Sequence, residues 1–194
     1  MDHFYQSVEG WFNYPDMFAY AVDTAPQEAH FVEIGTWKGQ SSSFLAVEII
    51  NSGKKIKLDC IDNFTGSVIE PGQMYDRDNQ AGRLLEVFTN NMKPVEGHYT
   101  AIQGDSAESA SLYEDESLDF VFIDASHDYE SFRKDLLAWF PKVKVGGLLA
   151  GHDFADAYPG IQKAVRDHLA SEEVGVTPST CWFTFKKFKT LSNI

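Results

Sequence analysis

Two apolar runs of strand length each close on an acid and an imidazole: FIDASH carries Asp124 and His127, and LLAGHD carries His152 and Asp153. If the two strands are neighbours in a parallel sheet, all four side chains leave the carboxyl ends together and face one crevice. Carboxylates there suit a hard divalent cation, Mg²⁺ or Mn²⁺, and imidazole tolerates Mn²⁺ and other transition metals. An imidazole with an ordinary pKa near neutrality also suits general-base work, which gives His127 a second reading. Plainer alternatives stay open at this point. His152 can bond to backbone, Asp153 can cap the turn before Phe154, and Asp128 can cap the next helix with His127 packed on its first turn.

A second signal lies upstream in FVEIGTWKGQSSS, residues 31–43. Gly35 removes a side chain where the chain must turn sharply, and Gly39 lets the loop approach a ligand at the following helix, whose free N–H groups favour a carboxylate. Glu33 sets an acceptor beside that loop, suited to an ammonium. Together these are the needs of an amino-acid zwitterion. The spacing is ExGxxxG and not the GxGxxG of dinucleotide binders, which counts against a pyrophosphate ligand. KLDCID then ends in Asp62, placed for the two hydroxyls of a ribose. IQGDSAES brings Asp105, which reads either as an acceptor for an adenine amine or, with Glu108, as a helix capping pair.

These residues need strands and helices to position them, and the chain alternates the two periodicities as crossover units of a mainly parallel sheet do. Strands are expected at 31–34, 56–61, 99–103, 118–123 and 148–151. Helices are expected at 15–23, at 41–50 with Gly53 as a left-handed stop, through Ala81, Leu84, Leu85, Phe88 and Met92, through Phe132, Leu136 and Phe140, and through Ile161, Ala164, Val165, His168 and Leu169. The last two strands, 173–176 and 181–187, leave no room for a helix between them and so form a hairpin at the sheet edge. Residues 62–79 are the longest stretch without periodicity and read as a lid hinged at Gly66 and Gly72. The aromatics Trp11, Phe12, Tyr14, Phe64, Tyr75 and Phe154 are candidates to wall a pocket.

The 194 residues make one domain with one sizeable core: an N-terminal helical segment 1–27, a core 28–170 and the hairpin 171–194. A formal charge of −13 speaks against nucleic acid or anionic lipid as partners, since both are held by clustered Lys and Arg. The KKFK run at 186–189 is the exception and reads as a solvated strand end. No signal peptide or membrane-spanning run is visible, and Cys60 and Cys181 stand apart from any metal-binding spacing, so a cytoplasmic protein with two buried thiols is expected. Homo-oligomerisation is left open.

In order along the chain, FVEIGTWKGQSSSFLA, LDCIDNFTG, IQGDS, LDFVFIDASHDYESFRKDL and VGGLLAGHDF closely resemble the class I S-adenosylmethionine (SAM)-dependent methyltransferases. The likeness is to the small bacterial branch that includes macrolide and sugar O-methyltransferases and, more distantly, to catechol O-methyltransferases. It covers about residues 28–170. It implies a three-layer Rossmann-like α/β fold, a mainly parallel seven-stranded sheet ending in an antiparallel hairpin, and methyl transfer to a small hydroxyl-bearing acceptor such as a sugar. The implied SAM site comprises Glu33, Gly35, Thr36, Trp37, Gly39, Ser41, Asp62, Asn63, Gly104, Asp105, Ser106, Asp124 and Ala125. The candidate catalytic groups, read from their place at the end of the fourth strand, are Asp124 and His127. Metal-dependent relatives carry an acid where Asp124 stands and two oxygen ligands where His152 and Asp153 stand, so these three are the expected ligands. Here one of the pair is His, which leaves open whether Mg²⁺, Mn²⁺ or no metal is used. Two rival readings remain: an NAD-dependent oxidoreductase, opposed by the missing GxGxxG and the final hairpin, and a SAM-binding protein without catalysis.

Overall fold

The computed structural model describes residues 1–66 and 76–187. Its strands are β1 (Glu28–Ile34), β2 (Lys55–Asp62), β3 (Thr100–Gln103), β4 (Leu118–Ile123), β5 (Val143–Gly151), β6 (Gly175–Val176) and β7 (Trp182–Phe185). Helices α1 (Pro15–Thr24), α2 (Gln40–Ser52), α3 (Arg77–Gln80), α4 (Leu84–Asn91), α5 (Tyr129–Trp139) and α6 (Pro159–His168) lie between them. The strands make one sheet in the order β3-β2-β1-β4-β5-β7-β6. All pairs from β3 to β5 are parallel, and β7 is antiparallel to both β5 and β6. This is the expected α/β sheet with its terminal hairpin.

Parallel strands covered on both faces must be apolar on both, and β1 and β4 are. Phe31, Phe120 and Phe122 face a layer built with Phe18, Phe44 and Leu45 of α1 and α2. Val32, Ile34, Val121 and Ile123 face Phe132, Leu136, Trp139 and Val165 of α5 and α6. Each such side chain contributes roughly 1.5–3 kcal/mol on burial, so the two layers fix β1 and β4 firmly at the centre. The strand order reverses between them, and the crevice beyond their carboxyl ends is where open α/β sheets hold ligands.

Several elements differ from expectation. The stripe from Ala81 to Met92 is not one helix: Gly82 takes a left-handed φ of 66°, so α3 stops before it and α4 starts after it. Strand β5 begins at Val143, earlier than expected, because a register shift opposite Leu118 and Phe120 absorbs Gly146, whose φ is 84°. Lys186 is no solvated strand end. It is buried, and its Nζ donates to the carbonyls of Val143 (2.7 Å) and Pro141 (3.2 Å). The rest of the lid expectation, with Gly72 and Tyr75, lies outside the described residues, as do residues 188 and 189 of the KKFK run. Cys60 and Cys181 are both buried free thiols. No helix among the described residues is long and apolar enough to cross a membrane.

Candidate active site

The loop from β1 to α2 turns through three left-handed residues, Gly35 (φ 85°), Trp37 (43°) and Gly39 (90°). A Cβ on Gly35 would fall 2.0 Å from the carbonyl oxygen of Asp124, so only glycine lets this turn lie against the end of β4. Among the described residues no side chain caps the N-terminus of α2 at Gly39, which leaves that helix end suited to a ligand carboxylate. Thr36 lies in the same turn, and its hydroxyl oxygen is buried without a hydrogen-bond partner among the described residues.

Glu33 is placed differently from expectation. It is fully buried beneath the loop, and its two oxygens accept from the hydroxyls of Ser41 (2.5 Å) and Ser42 (2.6 Å). Burial pushes its pKa up to about 7, against the serine bonds that lower it. Ser41, and not Glu33, reaches the cavity. Asp62 is likewise engaged: one oxygen accepts from the Trp37 amide (2.8 Å) and the other from the Phe64 amide (2.7 Å). It therefore locks the glycine loop to the end of β2, and burial raises its pKa despite these bonds.

At the end of β3, Gly104 donates its amide to the Asp62 carbonyl (3.0 Å). Asp105 has the capping role, accepting from the amides of Ala107 and Glu108 at 3.0 Å each. Ser106 donates to Asp135 (2.5 Å), a buried acid on α5 whose pKa burial raises to about 7. Asn63 is exposed and turns the chain through its side-chain bond to the Thr65 amide (2.8 Å).

The four strand-end residues do converge. His127 Nε2 lies 3.0 Å from Asp153 Oδ2, and His152 Nδ1 lies 3.2 Å from Asp153 Oδ1. Asp124 Oδ1 is 3.9 Å from His127 Nε2 and 4.0 Å from His152 Nδ1. Between two imidazoles, Asp153 is held well below the usual carboxylate range although burial opposes this. Burial would lower the pKa of His152, but the bond to Asp153 and the charges of Asp124 and Asp153 outweigh it and raise it. Asp153 holds this place with a left-handed φ of 61°. Asp128 accepts from the Ser131 amide at 3.0 Å and caps α5, so the plain reading of that residue is the observed one.

One ligand atom each from Asp124, His152 and Asp153 falls within 4.8 Å of the others, a spacing a divalent cation can bridge. His152 donates through Nε2 to the Ser179 carbonyl, which aims Nδ1 at the acids, as in metal sites where the second ring nitrogen is tied to backbone. The donor set of two carboxylates and one imidazole suits Mn²⁺ at least as well as Mg²⁺.

The cluster and the glycine loop share a cavity of about 400 Å³. Gly35, Thr36, Trp37, Ser41, Asp124 and Ala125 line it together with the two histidines and Asp153, whereas Asp62, Asn63, Gly104, Asp105 and Ser106 lie outside its lining. Of the expected pocket aromatics, Trp11, Phe12 and Tyr14 line it and Phe64 and Phe154 do not. Sequence reasoning placed Tyr14 among the pocket aromatics but missed its bond to Asp124, and it missed Gln40 and Lys38 altogether. The Tyr14 phenol donates to Asp124 Oδ2 at 2.8 Å, Gln40 binds the N-terminal segment, and the buried Lys38 ammonium meets Glu9, Asp76 and Asp78. The one available signal for Tyr14 was Pro15 after it, which fixes where α1 starts and Tyr14 with it.

Residues 32–154 match a family described as a methyltransferase domain. Among solved structures, the O-methyltransferase NovP is 20% identical over 90% of this chain and 79% of its own, with a TM-score of 0.67. The calicheamicin methyltransferase CalS11 is 16% identical over 88% of this chain and 76% of its own, with a TM-score of 0.62. An rRNA methylase from Streptococcus thermophilus is 10% identical over 92% of this chain and 100% of its own, with a TM-score of 0.60. At such identities the likeness is one of fold, and the acceptor has to be argued from the site.

Proposed function

Since the chain belongs to the methyltransferase-domain family, we propose that it transfers the methyl group of SAM to a hydroxyl oxygen of a small metabolite, with sugars the first class to try. The observation that carries this reading is a single cavity holding both the glycine loop with its uncapped helix end and the Asp124–His127–His152–Asp153 cluster. The methionine carboxylate of SAM takes the N-terminus of α2, its ammonium takes the oxygen face of Ser41 backed by Glu33, and the ribose lies toward Asp62. Gly39, Asn63, Gly104, Asp105 and Ser106 frame the nucleoside end.

Methyl transfer is an in-line displacement: the acceptor oxygen bonds to the methyl carbon as the carbon–sulfur bond breaks, and the sulfur keeps the bonding pair. The acceptor's proton must leave. His127, held by Asp153, takes it at an imidazole nitrogen. Asp124, His152 and Asp153 would hold a divalent cation, which when bound lowers the acceptor hydroxyl's pKa and fixes its oxygen. Trp11 and Phe12, which line the cavity, would limit water at the reacting centre once substrates are bound.

A formal charge of −13 supports a small acceptor over RNA, despite the fold shared with an rRNA methylase. Formation of S-adenosylhomocysteine from SAM over a panel of sugars, phenols and short RNAs, with Mg²⁺ or Mn²⁺ present, tests the reading. Saturable binding of NAD with no binding of SAM would replace it by the oxidoreductase alternative. SAM binding without turnover on any acceptor would favour a non-catalytic binder.

A further inference from the structure

We propose that the N-terminal strap, residues 8–14, is a positioning element of the reaction, seated on the glycine loop by Glu9 and Gly10 and acting on Asp124 through Tyr14. The proposal rests on the methyltransferase reading for its kinetic arm only.

The strap lies across the cavity, contributing Gly10, Trp11, Phe12 and Tyr14 to its lining. Its seat is specific. The Phe12 amide donates to Gln40 Oε1 (3.0 Å), and Gln40 Nε2 donates back to the Val8 carbonyl (2.8 Å). Gly10 sits so close that a Cβ there would fall 2.7 Å from Gln40 Cβ and Oε1, so a side chain at this position pushes the strap off α2. Trp11 stacks on Trp37 with ring centroids 4.7 Å apart, although it is itself 60% exposed. An exposed indole laid on the cofactor loop belongs to a docked segment and not to the core.

The electrostatic seat is asymmetric. The Lys38 ammonium is buried among Glu9 (2.8 Å), Asp76 (2.5 Å) and Asp78 (3.3 Å). Glu9 is 68% exposed where Asp76 is 10% exposed. Releasing Glu9 therefore leaves the ammonium paired and uncovers no buried charge, so the strap can be unseated without disturbing the loop beneath it.

The working end is Tyr14. Its hydroxyl donates to Asp124 Oδ2 at 2.8 Å, which turns Oδ1 toward His127 and His152. Its ring packs on His152 with centroids 4.6 Å apart. Tyr14 thus sets both which oxygen of Asp124 faces the cluster and where the His152 ring stands.

The experiment compares Glu9→Gln, Gly10→Val, Tyr14→Phe and the double variant Gly10→Val/Tyr14→Phe with the parent. Hydrogen exchange at residues 8–14 and the ring-proton NMR signals of His127 and His152 are read on ligand-free protein. The split of kcat from KM for SAM is read on the active enzyme. Gly10→Val is expected to speed exchange in the strap and to move the same histidine signals as Tyr14→Phe. Both should lower kcat about tenfold with KM for SAM within about twofold, and the double variant should be no slower than Tyr14→Phe alone. Glu9→Gln should act in the same direction more weakly, and it serves as the unseating variant if Gly10→Val does not fold. Faster strap exchange with unmoved His127 and His152 signals overturns the proposal, because Tyr14 is then held by α1 alone. Unchanged strap exchange in both seat variants overturns it too. If the parent turns over no acceptor, the methyltransferase reading falls, while exchange and ring signals still decide this one.

Discussion

His152 Nε2 lies 3.0 Å from the carbonyl oxygen of Ser179, so the loop before β7 commits that ring nitrogen to donation and turns Nδ1 toward Asp153 and Asp124. The hairpin at the sheet edge thereby acts on the chemistry of the site. Strand β7 pairs with β5 through Gly151 opposite Trp182, which fixes the 177–181 turn beside the end of β5. Ordering of the imidazole by a backbone acceptor is the arrangement by which proteins tune a metal-binding histidine.

A first prediction follows for the cation. His152→Ala removes one of the three proposed ligands, so Mn²⁺ affinity measured calorimetrically on the free protein should fall at least about tenfold. Chelation of the parent should abolish methyl transfer while S-adenosylhomocysteine still binds. Full activity after exhaustive chelation would exclude a catalytic cation and leave His127 to act alone.

His127 makes the second. Its Nε2 is 3.0 Å from Asp153 Oδ2, and its ring lies 4.5 Å from that of Tyr158, so it is oriented from two sides. His127→Ala should lower kcat about 10²–10⁴-fold, the contribution of a positioned base. SAM and cation affinity should stay near the parent's. Normal turnover in this variant would move the proton to Asp124 or solvent.

Asp62 gives a third prediction with two parts, because its carboxylate already holds the amides of Trp37 and Phe64. Asp62→Ala should weaken SAM binding roughly tenfold or more, and it should also lower stability by about 1.5–3 kcal/mol as two loops lose a charged acceptor. Calorimetry and denaturant unfolding separate the two. Loss of stability with unchanged affinity would make Asp62 a loop fastener and remove it from the ribose site.

How much of this was legible depends on which residues local pattern constrains. Asp124, His127, His152 and Asp153 follow apolar strand runs directly, and parallel pairing of β4 with β5 leaves their ends nowhere to go but one crevice. Gly53 ends α2 with a left-handed φ of 67°, as its position after an apolar helix requires. The depth of Glu33 was not legible because β1 is buried on both faces, so alternation along it does not say which side chains reach the cavity and which lie beneath the loop. The Tyr14–Asp124 bond spans 110 residues of sequence and leaves no local trace. Lys186 looks in sequence like the exposed Lys187 beside it, and the carbonyls of Pro141 and Val143 after α5, to which it donates, draw it inside.

The last prediction concerns pH. Glu33 is fully buried, and burial raises its pKa from 4.5 to about 7, with the charges of Asp124 and Asp62 adding to the rise and the serine bonds opposing it. Between those two values the folded protein keeps a proton that the unfolded chain has lost. The stability this group contributes is whole below pH 4.5 and is lost as pH rises toward 7, by at most about 1.4 kcal/mol per pH unit. Asp135, raised by burial from 3.8 to about 7, works in the same direction over the same window. Asp59, Asp128 and Asp153 are shifted down, so their contributions change only below the ordinary carboxylate range and leave this window untouched. Denaturant unfolding should therefore show stability falling from pH 5.5 to 7.5. Glu33→Gln has no proton to lose yet can still bond to Ser41 and Ser42, so its stability should depend less steeply on pH, with the gain over the parent largest at the alkaline end. Asp135→Asn should remove a further part of the slope. A Glu33→Gln profile running parallel to the parent's across this window would mean that the carboxylate ionises normally in the folded protein.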